Sequence, residues 1–84
     1  MTREKIIEDL KDFLVDDLFL DVERDQIGVD QGFQTVLGVD SLGFVELMAF
    51  VEDHYAIKIE ESEFIPANFQ NITSLSNLVL EKLG

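Results

Sequence analysis

Ser41 follows Asp40 where an unpatterned stretch of chain meets its most apolar helical segment. A serine placed there can do two things. Asp40 and Ser41 are both N-cap residue types, able to satisfy the orphan N–H groups of a first helical turn. Alternatively, the hydroxyl stands exposed at the positive end of a helix, where a phosphate is electrostatically favoured. The other residues able to do chemistry are scattered. His54 is the single histidine. At about 1.5 Å of rise per residue it lies roughly 20 Å along the helix from Ser41, too far to serve as its base within one subunit. With no cysteine or second histidine beside it, His54 reads as a structural or surface residue. Asp21, Glu23 and Asp25 begin like a calcium loop, but Gln26 stands where the sixth position needs Gly and Gly32 where the twelfth needs Glu. No other metal-ligand spacing occurs. The carboxylates lie on polar faces, with none paired as acid and base. No Gly-rich phosphate loop runs into Gly-Lys-Ser or Gly-Lys-Thr. The chain therefore offers no catalytic residue and reads as something other than an enzyme.

The neighbours of Ser41 narrow its role. Gly38-Val39-Asp40-Ser41-Leu42, followed by Val45-Glu46-Leu47, resembles the signature of the acyl carrier and peptidyl carrier proteins. The resemblance covers essentially the whole chain in length, helix spacing and acidity. It implies that Ser41, flanked by Asp40 and Leu42, takes a covalent 4'-phosphopantetheine arm. Coenzyme A is the implied donor, and a separate phosphopantetheinyl transferase the implied catalyst. The arm's thiol then holds an acyl or aminoacyl intermediate as a thioester. The implied role is delivery, as a stand-alone monomeric carrier, to enzymes of fatty acid, polyketide, nonribosomal peptide or related specialised metabolism. Glu46, Glu52 and Asp53 fall where family members often carry recognition acids. Three features depart from the common pattern: Gly43 where many fatty-acid carriers have another acid, Ile59-Glu60 where many have Ile-Pro, and the segment Phe64 to Phe69. A rival of another class is an unmodified acidic helical adaptor in which Ser41 is only a cap.

Composition sets the outer limits. The chain has 84 residues and a formal net charge of -12. That length fits one small carrier domain, 1–84, with a limited core and little stability in reserve. The charge argues against nucleic acid, whose phosphates call for Lys and Arg, and against an anionic membrane surface. No Lys or Arg lies between Arg24 and Lys58, while Asp25, Asp30, Asp40, Glu46, Glu52 and Asp53 do. A surface of one sign steers partners of the other, so loading and processing enzymes with basic docking patches are expected. Cysteine is absent, so any thiol the protein uses must come from a cofactor. No signal-peptide h-region and no apolar run of membrane-spanning length is visible, which reads as cytoplasmic.

The elements that would hold Ser41 follow from periodicity. Ile6, Ile7, Leu10, Phe13, Leu14 and Leu18 recur at helical spacing over residues 2 to about 18, with Thr2 as the N-cap. Residues 19 to 40 keep no period. A loop this long needs anchors, and Ile27, Phe33, Val36 and Leu37 are the candidates, with a turn of helix within 31–37. A second helix runs from 41 to about 55, with Leu47, Val51 and Tyr55 facing the core beside Phe44, Met48 and Phe50. Val45 and Ala49 project from its other side among Glu46, Glu52 and Asp53, which makes a docking face. Ile57 and Ile59 suggest a short extended linker. Pro66 can open a very short third helix, tied to the core by Phe64, Ile65 and Phe69. Thr73 caps a last helix, 74 to about 83, buried through Leu75, Leu78, Val79 and Leu83. The expected fold is all-α: a small four-helix bundle of three longer helices and one short third helix, with a long loop between helices 1 and 2. Close-packed aromatics leave little spare core volume. Together with Ile65-Pro66-Ala67-Asn68-Phe69, which looks like the discrete carriers of specialised metabolism, this points to a short acyl or aminoacyl cargo.

Overall fold

A computed structural model describes residues 2–84. Three α-helices form: α1 (Arg3–Asp16), α2 (Ser41–Tyr55) and α3 (Ile72–Leu83). Single 3₁₀ turns occur at Arg24–Gln26, Glu61–Glu63 and Pro66–Asn68, and the described residues contain no strand.

Thr2 caps α1 as its hydroxyl type predicts, accepting the Lys5 N–H at 3.2 Å. Ile6, Leu10, Phe13 and Leu14 give the helix its buried stripe. The N–H groups of Asp17 and Leu18 both donate to the Phe13 carbonyl as the helix ends, and Phe19, with φ +56°, then turns the chain away. α1 and α2 run antiparallel: Asp9 meets Tyr55, Phe13 stacks on Phe50, and Leu18 approaches Gly43. α3 closes the core with Ile72, Leu75, Leu78 and Val79.

The long loop is fastened to both outer helices. Arg24 pairs with Glu8 and Asp12 of α1. Ile27, Phe33 and Val39 are buried plugs, and Leu37 packs partly against them. Val36 does not join them; it is exposed because the turn at 33–36, closed by Val36 N–H to Gly32 O at 3.0 Å, points it outward. Farther on, the Phe33 N–H donates to Gln70 O at 2.9 Å, and the Thr73 N–H and hydroxyl both donate to Val29 O.

That use of Thr73 corrects the expected start of the last helix. Asn71 is its N-cap, accepting the Ser74 N–H at 2.8 Å while the Ser74 hydroxyl accepts the Asn71 N–H at 3.1 Å. Thr73 is the second residue of the helix, two past the cap, and its hydroxyl is spent on the loop. The short third helix is also corrected. Pro66 holds the first position as expected, but only one 3₁₀ turn follows before the chain must reach Asn71. Phe69 is buried there, whereas Phe64 and Ile65, expected as anchors, are largely exposed.

One buried polar group ties α1 to α2. Asp9 accepts from the Tyr55 hydroxyl at 2.9 Å, pairs with Lys5 at 3.0 Å and meets His54 Nε2 at 3.2 Å. Burial by itself would raise the carboxyl pKa, but the hydrogen bonds from Lys5 and Tyr55 and the Lys5 charge outweigh it and hold Asp9 below the usual carboxylate range. Burial and the same carboxylate push the Tyr55 phenol up. His54 is thus a structural residue at the end of α2 remote from Ser41.

Candidate functional site

The loop and α2 meet at a sharp junction. Gly38 adopts φ +75° with open space around it, a backbone setting that favours glycine. The Val39 N–H then donates to Phe33 O at 2.7 Å, which seats Val39 in the core and fixes where α2 begins. The cap of α2 is Asp40, whose Oδ1 accepts the Gly43 N–H at 2.7 Å. Ser41 is the first helical residue, not the cap, and it is exposed. Capping is therefore done by Asp40, and the Ser41 hydroxyl is left at the positive helix end, where an anionic group is favoured.

Gly43 acquires a physical reason here. A Cβ at that position would lie 3.0 Å from Val39 Cγ1 and 3.2 Å from Asp40 Oδ1. Any side chain in its place would require Val39 or Asp40 to shift by a few tenths of an ångström.

Beside Ser41 lies an apolar groove of about 500 Å³. Phe44 and Val45 of α2 form one wall and Phe64, Ile65 and Phe69 the other, while Gln34, Thr35 and Gln70 supply polar groups. The Phe64 and Phe69 rings sit 5.0 Å apart, and Phe44 is braced edge-on against buried Phe33 at 5.9 Å. The groove could not be read from the sequence. Phe64 and Ile65 look there like core anchors, and their exposure follows from the shortened third segment. Leu42, next to Ser41, is 67% exposed and Val45 64%, so the helix start presents apolar side chains to any approaching surface.

The expected docking residues divide between two flanks of α2. Val45 faces the groove, whereas Glu46, Ala49 and Asp53 line a separate crevice toward α1. Glu52 is half-buried and its Oε2 accepts the Ile59 N–H at 3.0 Å, which anchors the linker after α2. The described residues hold no group of three or more His, Asp or Glu side chains placed to bind a metal ion. No described helix is long and apolar enough to cross a membrane.

Comparison with known proteins gives a consistent result. A family profile described as "Phosphopantetheine attachment site" matches residues 15–79. An acyl carrier protein of Petrotoga mobilis is 31% identical over 84 residues, covering 100% of this chain and 94% of that protein. The crystal structure of an acyl carrier protein from Thermotoga maritima superimposes with a TM-score of 0.77 at 27% identity, covering 96% of this chain and 89% of that one. A chain in the structure of a Bradyrhizobium japonicum glycine:[carrier protein] ligase complexed with glycylated carrier protein matches with a TM-score of 0.71 at 28% identity. That match covers 90% of this chain and 96% of the other.

Proposed function

The chain belongs to the acyl carrier protein family, whose members are phosphopantetheine-bearing carriers and not enzymes, and we propose that Ser41 is the residue that takes the arm. The observation that carries this is the division of labour at the helix start: Asp40 caps, and the Ser41 hydroxyl stays exposed beside an apolar groove. Asp40 and Leu42 frame the attachment point. A phosphopantetheinyl transferase would bring coenzyme A; Ser41 Oγ would give up its proton and bond to the pantetheine-side phosphorus as the pyrophosphate P–O bond breaks, leaving a phosphodiester on Ser41 and releasing adenosine 3',5'-bisphosphate. The residues present fit that group: the start of α2 would hold its anionic end, and the groove lined by Phe44, Val45, Phe64 and Ile65 would take its stem. The terminal thiol supplies the thioester bond. The 84 residues act as one monomeric carrier domain in the cytoplasm, where coenzyme A and the loading enzymes are at hand, with no role for nucleic acid or membrane.

Cargo is the next question. The Phe13 and Phe50 rings stack at 4.4 Å between α1 and α2, and Phe33 and Phe44 pack edge to face. Such a core has no room to open for a long chain without costly repacking. The groove beside Ser41 is open-sided, so a group lying along it keeps contact with solvent. These features favour a short acyl or aminoacyl group, held over the surface or by the partner enzyme. The glycylated relative is a carrier of that kind. The reading is tested by loading acetyl, octanoyl or an aminoacyl group on the arm and following side-chain NMR signals. All three should move signals of Phe44, Phe64 and Phe69 and leave the methyls of Leu14, Leu47 and Val51 in place. Large core shifts and a raised Tm with octanoyl alone would show a sheltered chain and a different cargo class.

Partner enzymes are expected to meet α2 through basic patches, by way of Val45, Glu46, Ala49, Asp53 and the rim around Glu52. Glu46 is exposed, so Glu46→Lys should leave helical circular dichroism unchanged. It should slow transfer by a partner enzyme at low salt, and added salt should shrink the difference, because exposed charges are screened beyond about 10 Å at 0.1 M. Equal rates for both proteins at low salt would remove Glu46 from the docking surface.

A further inference from the structure

Ser41 itself lines the groove beside it, so a group attached there is tethered at the groove wall. That groove is not uniformly apolar. Phe44, Val45, Phe64 and Ile65 give it apolar sides, and Gln34, Thr35 and Gln70 add polar side chains. The backbone gathers these three. The Phe33 N–H donates to Gln70 O at 2.9 Å, which holds the turn carrying Gln34 and Thr35 against the residue just before the Asn71 cap of α3. All three are exposed, and none of their side chains makes a hydrogen bond among the described residues. A Cβ at Gly32 would lie 2.2 Å from Thr35 Oγ1, so any larger residue there would push that hydroxyl aside.

Apolar walls with a few grouped polar side chains are the usual make-up of a small-molecule site, and about 500 Å³ is an ordinary volume for one. A phosphopantetheine arm has the matching composition. Its stem carries a gem-dimethyl group and secondary amides, each with one N–H and one C=O. A glutamine carboxamide offers a donor and an acceptor to such an amide, and a threonine hydroxyl can do either. A purely apolar chain would leave all of these groups to water. We propose that Gln34, Thr35 and Gln70 recognise the amide groups of the arm and dock it along its own carrier. The proposal rests on attachment at Ser41 and deepens it, since it names the residues that decide whether the arm lies docked or swings free. Individually weak contacts suffice, because a group on a short tether is present at roughly millimolar effective concentration.

The test uses the full chain loaded from coenzyme A by a transferase. Intact mass first establishes that the arm is attached. A protein that gains no arm overturns the Ser41 assignment and this proposal with it, whereas the later readouts bear on docking alone. Protein-to-arm NOEs and hydrogen exchange at the arm's amide N–H groups are then measured, with the unloaded protein and free pantetheine as references. Expected are NOEs from the gem-dimethyl protons to the Phe44 and Phe64 rings, shifts of the Gln34 and Gln70 carboxamide signals on loading, and exchange slower than in free pantetheine. The double variant Gln34→Leu, Gln70→Leu removes both carboxamides and leaves the main-chain bond from Phe33 to Gln70 O in place. Thr35→Val exchanges a hydroxyl for a methyl. The docking constant given by the exchange protection should fall about fivefold for each hydrogen bond lost, with the rest of the spectrum unchanged. A loaded arm that exchanges as fast as free pantetheine, protection undiminished in the variants, or ring shifts that grow with protein concentration, as a second copy in the groove would cause, would each overturn the proposal.

Discussion

Ser41→Ala folds as the parent does and accepts no phosphopantetheine. Both halves of that result follow from the junction. The cap of α2 is made by Asp40 through the Gly43 N–H, so loss of the Ser41 hydroxyl removes no hydrogen bond on which the helix depends. Alanine is also the best helix former, and Ser41 is the first helical residue. Circular dichroism and Tm should therefore match the parent, or rise slightly. Attachment, by contrast, has lost its acceptor oxygen altogether, and the effect on loading is complete and not graded. Intact mass after incubation with coenzyme A and a broad-specificity transferase reads it directly. A variant that still gains the arm would move the attachment site elsewhere and break the account.

The second large effect is on stability and lies far from Ser41. Asp9→Ala removes the acceptor that Tyr55, Lys5 and His54 share. The Tyr55 hydroxyl is left in a buried place without its partner, at a cost of about 1–3 kcal/mol. A domain this size holds about 5–15 kcal/mol in total, and its Tm moves by about 4–8 °C per kcal/mol. A drop of about 4 °C or more is therefore expected. The pH dependence has a definite sign. The folded-state pKa of Asp9 lies below its ordinary value of 3.8, so the unfolded chain binds the proton more readily. The stabilisation is fully present above that ordinary value and is lost as pH falls through the folded pKa. Parent and variant should differ most near neutral pH and converge in strong acid. Chemical denaturation at several pH values checks this; a constant gap across the acid range would mean that the Asp9 charge contributes nothing to the tie.

The two cases show how much of the molecule could be read from residues alone. The place of Ser41 at the start of α2 is legible because helix starts have strong local rules. The stripes of α1 and α2, the Thr2 cap and the loop plugs Ile27 and Phe33 were legible for the same reason: period and residue type decide them locally. Asp9 was not. It sits among acids on the polar side of α1, and only the antiparallel pairing with α2 brings Tyr55 and His54 to it. The start of α3 was misplaced by a contest of equals. Asn71 and Thr73 are both good caps, and the loop decided between them by recruiting Thr73 to the Val29 carbonyl. Phe64 and Ile65 read as anchors in the sequence because an apolar side chain says that burial is favourable without saying which surface provides it. Once the third helix is reduced to the turn Pro66–Asn68, those two side chains line the groove instead. Glu52 shows the same limit from the polar side: its place in the acidic run was legible, its bond to the Ile59 N–H was not.

Mapping the modified residue tests the central claim most directly. The parent protein is incubated with coenzyme A and transferase, digested, and sequenced by tandem mass spectrometry. The account predicts a single phosphopantetheine adduct, on Ser41, with Ser62, Ser74 and Ser76 unmodified. A protein that stays unmodified under conditions that load a known carrier, or an adduct on any of the other three serines, would contradict it.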